Sequence, residues 1–245
     1  MEATKIIRDA VIHVTLMRQT VTSNPELTRA VSDIKHFQAR RFAGTYFDLL
    51  RSEHYKPAAL FFLEELYSEK DYSERDSQFA RIASALERIF PPQVVQTAVS
   101  LAQLHRLTEV LDLAMAHCWL ANTGLPEVAR YVSAWRAVGR HSDRSTQLES
   151  VLNIGQELDR LTRTRGLHTM LKLMRGPAKV AGLGSLQRFL ESGFDTFSAM
   201  GRKGDGTKYF LDTVMNRESG LVDRLFNASS VSCETEITQI LGQAR

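Results

Sequence analysis

Apolar side chains recur every three or four residues along most of the chain, the spacing of one helix face rather than of a strand. Ile6, Ile7, Ala10, Val11, Val14 and Met17 make the first stripe. Asn24 can cap a second helix and Pro25 fits its first position, where no backbone donor is needed. That helix carries Leu27, Val31, Ile34, Tyr46, Leu49 and Leu50 and is expected to run to about Ser52. Pro57 opens a short apolar helix, expected to end at Tyr67-Ser68. Ser73-Glu74-Arg75-Asp76 resembles a capping box, with Asp76 where Glu or Gln is usual.

Pro91-Pro92 stops the next helix, and a long one follows from Gln93 to about Leu120. Further helices are expected from Pro126 to Val138, stopping at Gly139, and from about Asp143 to Thr164. A short one from Leu167 to Arg175 is expected to end at Gly176-Pro177. Ser185 can cap a helix holding Leu186, Phe189, Leu190 and Phe197. Residues 201–206 (Gly-Arg-Lys-Gly-Asp-Gly) read as a loop, before a helix from Thr207 to Phe226 and a tail. No stretch alternates as a strand. The expected fold class is therefore all-α: a compact multi-helix bundle of about nine or ten helices, with short loops and no sheet. A single domain over 1–245 is expected, with any subdivision near 121–125.

Composition narrows the class. The 43% apolar content over 245 residues suffices for a core, and a net charge of +3 does not by itself point to nucleic acid. Cys118 and Cys233 form no CxxC pair, so neither a disulfide framework nor a structural zinc site is expected. Cys118 lies among apolar neighbours and reads as a buried thiol. The first 18 residues carry Glu2, Lys5, Arg8 and Asp9 and do not read as a secretory signal. No run approaches the length of a membrane span. A cytoplasmic location is the expectation.

Common catalytic signatures are missing. No Glu has a His three places on, as a di-metal bundle would need. HExxH and G-x-S-x-G do not occur. The glycine loop lacks the Gly-Lys-Ser/Thr ending of a phosphate loop, and Gly182-x-Gly184 has neither the third glycine nor a strand before it.

Two blocks carry a resemblance. Phe61-Phe62-Leu63-Glu64-Glu65-Leu66-Tyr67 with Asp71-Tyr72-Ser73 and Arg75-Asp76 forms one. Leu173-Met174-Arg175-Gly176-Pro177-Ala178 with residues 182–190 (Gly-Leu-Gly-Ser-Leu-Gln-Arg-Phe-Leu) forms the other. Together they are similar to a family of uncharacterised bacterial helical proteins. The resemblance implies a bacterial source and an all-helical fold. It implies no activity and transfers no site residues.

Four constellations hold the candidate chemistry. His105 and Glu109 lie four apart on the long helix, on the side that also carries Thr108 and Asp112. They are half a metal site, or a lone haem ligand, with His13, His36, His54 and His117 as the possible completions; a plain helical hydrogen bond is the alternative. Glu64, Glu65, Glu69, Asp71, Glu74 and Asp76 form an acidic cluster, suited to acid–base work, a hard cation, or simply solvent. Arg160, Arg163, Arg165, Lys172, Arg175, Lys179 and Arg188 form a basic segment with no acid between Arg160 and Glu191. It suits phosphates, an anionic membrane surface or an acidic segment of another subunit, unless intramolecular pairs absorb it. Phe189, Phe194, Phe197, Tyr209 and Phe210 flank the glycine loop as core or as a ligand pocket.

The expected function is non-enzymatic: a protein-interaction or self-association module, with a protein partner or a second copy. A haem- or metal-binding sensor or oxidoreductase using His105, and an anion or nucleic-acid binder using Arg160–Arg188, are the alternatives. No cofactor is identified by the sequence.

Overall fold

Asn24 caps its helix as its side-chain chemistry dictates: Oδ1 accepts from the backbone N–H of Glu26 and Leu27 at 3.0 and 3.1 Å. The computed structural model describes residues 2–65, 70–202 and 206–244. Leu66, Tyr67, Ser68 and Glu69, and Lys203-Gly204-Asp205 of the expected loop, lie outside the described residues. Helix accounts for 86% of the structure, and the described residues contain no strand. The elements are α1 (Glu2–Thr22), α2 (Pro25–Thr45), α3 (Phe47–Arg51), α4 (Lys56–Glu65), α5 (Ser73–Ile89), α6 (Pro92–Leu120) and α7 (Glu127–Val138). They continue with α8 (His141–Thr162), α9 (Leu167–Leu173), α10 (Arg175–Val180), α11 (Gly184–Gly201), α12 (Gly206–Asn227) and α13 (Ser230–Gln243). No helix among the described residues is long and apolar enough to cross a membrane.

These helices exceed the nine or ten expected: the second expected helix is broken in two, α10 follows the short one, and the tail is helical. The second helix ends at Thr45, and Tyr46 turns the chain before α3. Tyr46 is fully buried, and its hydroxyl donates to the Glu218 carboxylate at 3.0 Å, so tertiary contact overrides the local pattern. Gly176-Pro177 was expected to stop a helix; instead it lies in the first turn of α10. There proline loses nothing, since first-turn N–H groups have no intrahelical acceptor. The expected tail is helix α13, capped by Ser229 Oγ accepting from Ser232 N–H at 3.2 Å. Gly139 does stop α7, at φ +72°, where a side chain would strain the backbone.

The chain divides into two compact units. The first comprises Met1–Thr15, Lys70–Arg106 and Ser150–Leu211. Its core joins Ile7 and Ala10 of α1, Ala83 and Leu86 of α5, and Ala98, Val99 and Ala102 of α6. Four alanines among seven residues let helix backbones approach closely, and the larger Ile7 and Leu86 fill the remaining space. The aromatic residues beside the glycine loop divide here: Phe194, Phe197 and Phe210 are buried, whereas Tyr209 is exposed.

The second unit comprises Leu16–Glu69, Leu107–Glu149 and Asp212–Arg245, so residues 121–125 lie inside it. Leu27, Ile34 and Phe37 of α2, Met115 and Trp119 of α6, Tyr131 and Trp135 of α7, Leu221 and Leu225 of α12, and Ile237 of α13 build its core. Phe37 stacks on Tyr131 with ring centroids 4.1 Å apart. Arg136 of α7 donates to the carbonyls of Leu225 and Ala228 and to Ser230 Oγ. One guanidinium thus satisfies acceptors left open where α12 ends. Both cysteines are free thiols; Cys233 is buried, but Cys118 is only half-buried.

Gly44 marks a close approach of α2 to α13. A Cβ built there would lie 1.9 Å from the Ile240 carbonyl oxygen, backbone that cannot rotate away. Gly44→Ala is expected to destabilise the protein by about 1–3 kcal/mol, the usual cost of overpacking. Gly124→Ala, with nothing within 4 Å of its Cβ, is the control and is expected to change stability by less than about 0.5 kcal/mol. Thermal unfolding of both variants checks this.

Candidate functional site

Asp76 is not the capping-box carboxylate its position suggests. Asp71 takes that place, accepting from Ser73 N–H and from Ser73 Oγ, both at 2.9 Å. Asp76, one turn into α5, is buried, and its Oδ2 lies 2.8 Å from His105 Nε2. The structure therefore joins a residue of the acidic cluster to the candidate metal ligand. Arg75 Nε lies 3.8 Å from the other carboxylate oxygen. Its guanidinium sits 3.9 Å from the Tyr72 ring centroid and 4.7 Å from that of Phe189, a sandwich that holds the cation in place.

Glu74 and Gln78, two residues to either side of Asp76, meet α11 rather than α6. Gln78 Nε2 donates to Glu74 at 2.9 Å, and its Oε1 accepts from Leu186 N–H at 2.8 Å. Ser185 Oγ donates to Glu74 at 2.9 Å and accepts from Arg188 at 2.9 Å. Ser185, expected to cap α11, lies within its first turn, and side chains of α5 meet the start of that helix instead.

A buried carboxylate beside an imidazole has two chemical uses: it can move a proton, or orient a metal-bound histidine. Metal binding needs further donors, and among the described residues no group of three or more His, Cys, Asp or Glu side chains could hold an ion. His13 is exposed in the first unit, and His36, His54 and His117 belong to the second.

Glu109 belongs to the second unit, where Lys35 Nζ binds it at 2.8 Å and Arg18 Nη2 at 3.5 Å. One turn on, Asp112 is buried and accepts from Gln38 Nε2 at 3.2 Å. Burial raises its pKa; Lys35 opposes the rise and Glu109 adds to it. Arg41 and Glu218 make a buried pair at 2.7 Å. Arg144, also buried, lies 4.2 Å from the centroid of the Trp135 ring system and donates to Gln147, whose amide donates to Thr108. Of this interior, the long-helix reading contained Thr108, Glu109 and Asp112. The three-residue spacing of Lys35, Gln38 and Arg41, interleaved with Ile34 and Phe37, is the signal that points to the rest.

The other acidic candidates are divided between the units, and several of the basic ones pair locally. Glu64 and Glu65 end α4 in the second unit, whereas Asp71 and Asp76 belong to the first. Arg160 pairs with Glu157 at 2.5 Å, Arg163 with Asp159 at 2.8 Å, and Arg175 with Glu191 at 2.6 Å. Arg165, Lys172 and Lys179 stand exposed.

The family model that matches this chain, over residues 17–232, is described as a domain of unknown function (DUF8198). Neither a curated protein nor a solved structure matches it.

Because the folded Asp112 has a pKa above its ordinary 3.8, the folded state holds that proton more tightly than the unfolded chain. Stability is therefore lost as pH rises from about 3.8 through the raised value. Asp112→Asn keeps an oxygen for Gln38 and removes the charge. The variant is expected to be at least as stable as the parent at neutral pH, and its advantage to vanish below pH 3.8. Urea denaturation across that range measures both.

Proposed function

We propose that this chain, which belongs to the family of that domain of unknown function, is a non-enzymatic helical module that works by associating with another protein or a second copy of itself. The supporting observation is the Asp76–His105 pair, 2.8 Å apart. The side chains best suited to chemistry are engaged with one another: His105 with Asp76, Glu109 with Lys35 and Arg18, and Ser185 with Glu74 and Arg188. Such pairing supports a scaffold in which polar groups fix helix packing and the outer faces meet the partner.

A cofactor role is the second reading, because a carboxylate behind a histidine is also how metal-ligating imidazoles are oriented. One set of measurements separates the two. On the association reading, the purified protein is colourless and carries no stoichiometric metal. His105→Ala lowers stability by about 1–3 kcal/mol, the cost of stranding a buried partner. Light scattering or affinity capture finds a dimer or a protein partner. A Soret band or bound metal that disappears in His105→Ala would replace association with cofactor binding. A strict monomer that captures nothing would count heavily against association.

A further inference from the structure

The short helices α9 and α10 share one repeating phase. Leu171 and Ala178, seven residues apart, are their buried residues. The two residues after each are an exposed lysine and an exposed aliphatic: Lys172-Leu173 and Lys179-Val180. Leu173 is 73% exposed and Val180 92%, the latter the most exposed large apolar side chain among the described residues. Between the pairs, Arg175 is neutralised by Glu191, which also accepts from Gln187 at 2.8 Å. Arg165, just before α9, is exposed as well. Acidic residues are absent from 164–188.

We infer that α9 and α10 dock on an anionic lipid surface, with Leu173 and Val180 entering between headgroups and Arg165, Lys172 and Lys179 contacting their charges. The composition favours a membrane over a protein face. Protein interfaces are anchored by aromatic and arginine side chains packed in a contiguous desolvated patch. Here the apolar side chains are single aliphatics, one per helix, each beside a lysine. A lysine stem can lie along the acyl boundary while its ammonium stays with the headgroups. Cations near an anionic leaflet are attracted individually, and salt screens that attraction within a Debye length. Docking is peripheral, so it needs no spanning helix. It is independent of the association proposed above: a strict monomer would sink that role and leave this one standing.

Vesicle co-sedimentation of the full chain is the test, using phosphatidylcholine alone and phosphatidylcholine mixed with phosphatidylserine. The expected result is binding to the mixed vesicles only, weakening steeply between roughly 50 and 300 mM salt. Lys172→Glu with Lys179→Glu, and separately Leu173→Ser with Val180→Ser, are each expected to weaken it at least about tenfold. All four side chains are exposed, so the variants are expected to keep the parent's helical circular dichroism. No binding to the mixed vesicles overturns the inference, as does equal binding to both compositions. Loss with the lysine variant but not the aliphatic one also overturns it, since nothing then enters the lipid. Capture of an acidic protein through the same lysines without vesicle binding assigns the surface to a protein and overturns it too.

Discussion

A carboxylate withdrawn from water must be met by a donor or a cation, or it is driven toward its neutral form. Much of the helix packing in this protein answers that demand. In the first unit Asp76 is met by His105 and Arg75, which fixes α5 against the middle of α6. In the second, Glu218 is met by Arg41 and Tyr46, and Glu109 by Lys35 and Arg18. Asp112 is the incomplete case: Gln38 donates to it and Lys35 lies close, yet burial still raises its pKa. Each pair costs desolvation and gains register, since a helix turned by one residue would strand a charge.

The apolar period made the helical class legible, and the individual signals that worked were chemical. Asn24-Pro25 and Gly139 behave as side-chain and backbone rules require. The failures occur where a distant contact overrides a local signal. Tyr46 breaks α2 because its hydroxyl is drawn to Glu218, far along the chain. Gly176-Pro177 reads as a stop, yet it lies in the first turn of α10, with Leu171 and Ala178 buried on either side of it. Asp76 looked like a cap because its partner, His105, is 29 residues away. His105 itself was legible as a polar residue on the long helix, but its partner was not. Sequence spacing suggested Glu109, which is bound by Lys35 instead.

The same contrast bears on function. Asp76, Glu109 and Glu218 are each paired in the interior, which suits them to holding helices. The Lys-aliphatic pairs of α9 and α10 are exposed instead, and of those four residues Leu173 lies in the second of the two sequence blocks that carry the family resemblance. The proposed lipid docking rests on residues other than those that pair in the interior, so each set can be altered separately.

Hydrogen exchange of the parent and His105→Ala, read by mass spectrometry, tests the structural assignment of the Asp76–His105 pair most directly. The account predicts faster exchange in α5 and in the start of α11, whose first turn is held by Gln78 and Glu74 beside Asp76. Unchanged protection there, together with the loss of a bound ligand or activity in the variant, would contradict it and make His105 a functional group.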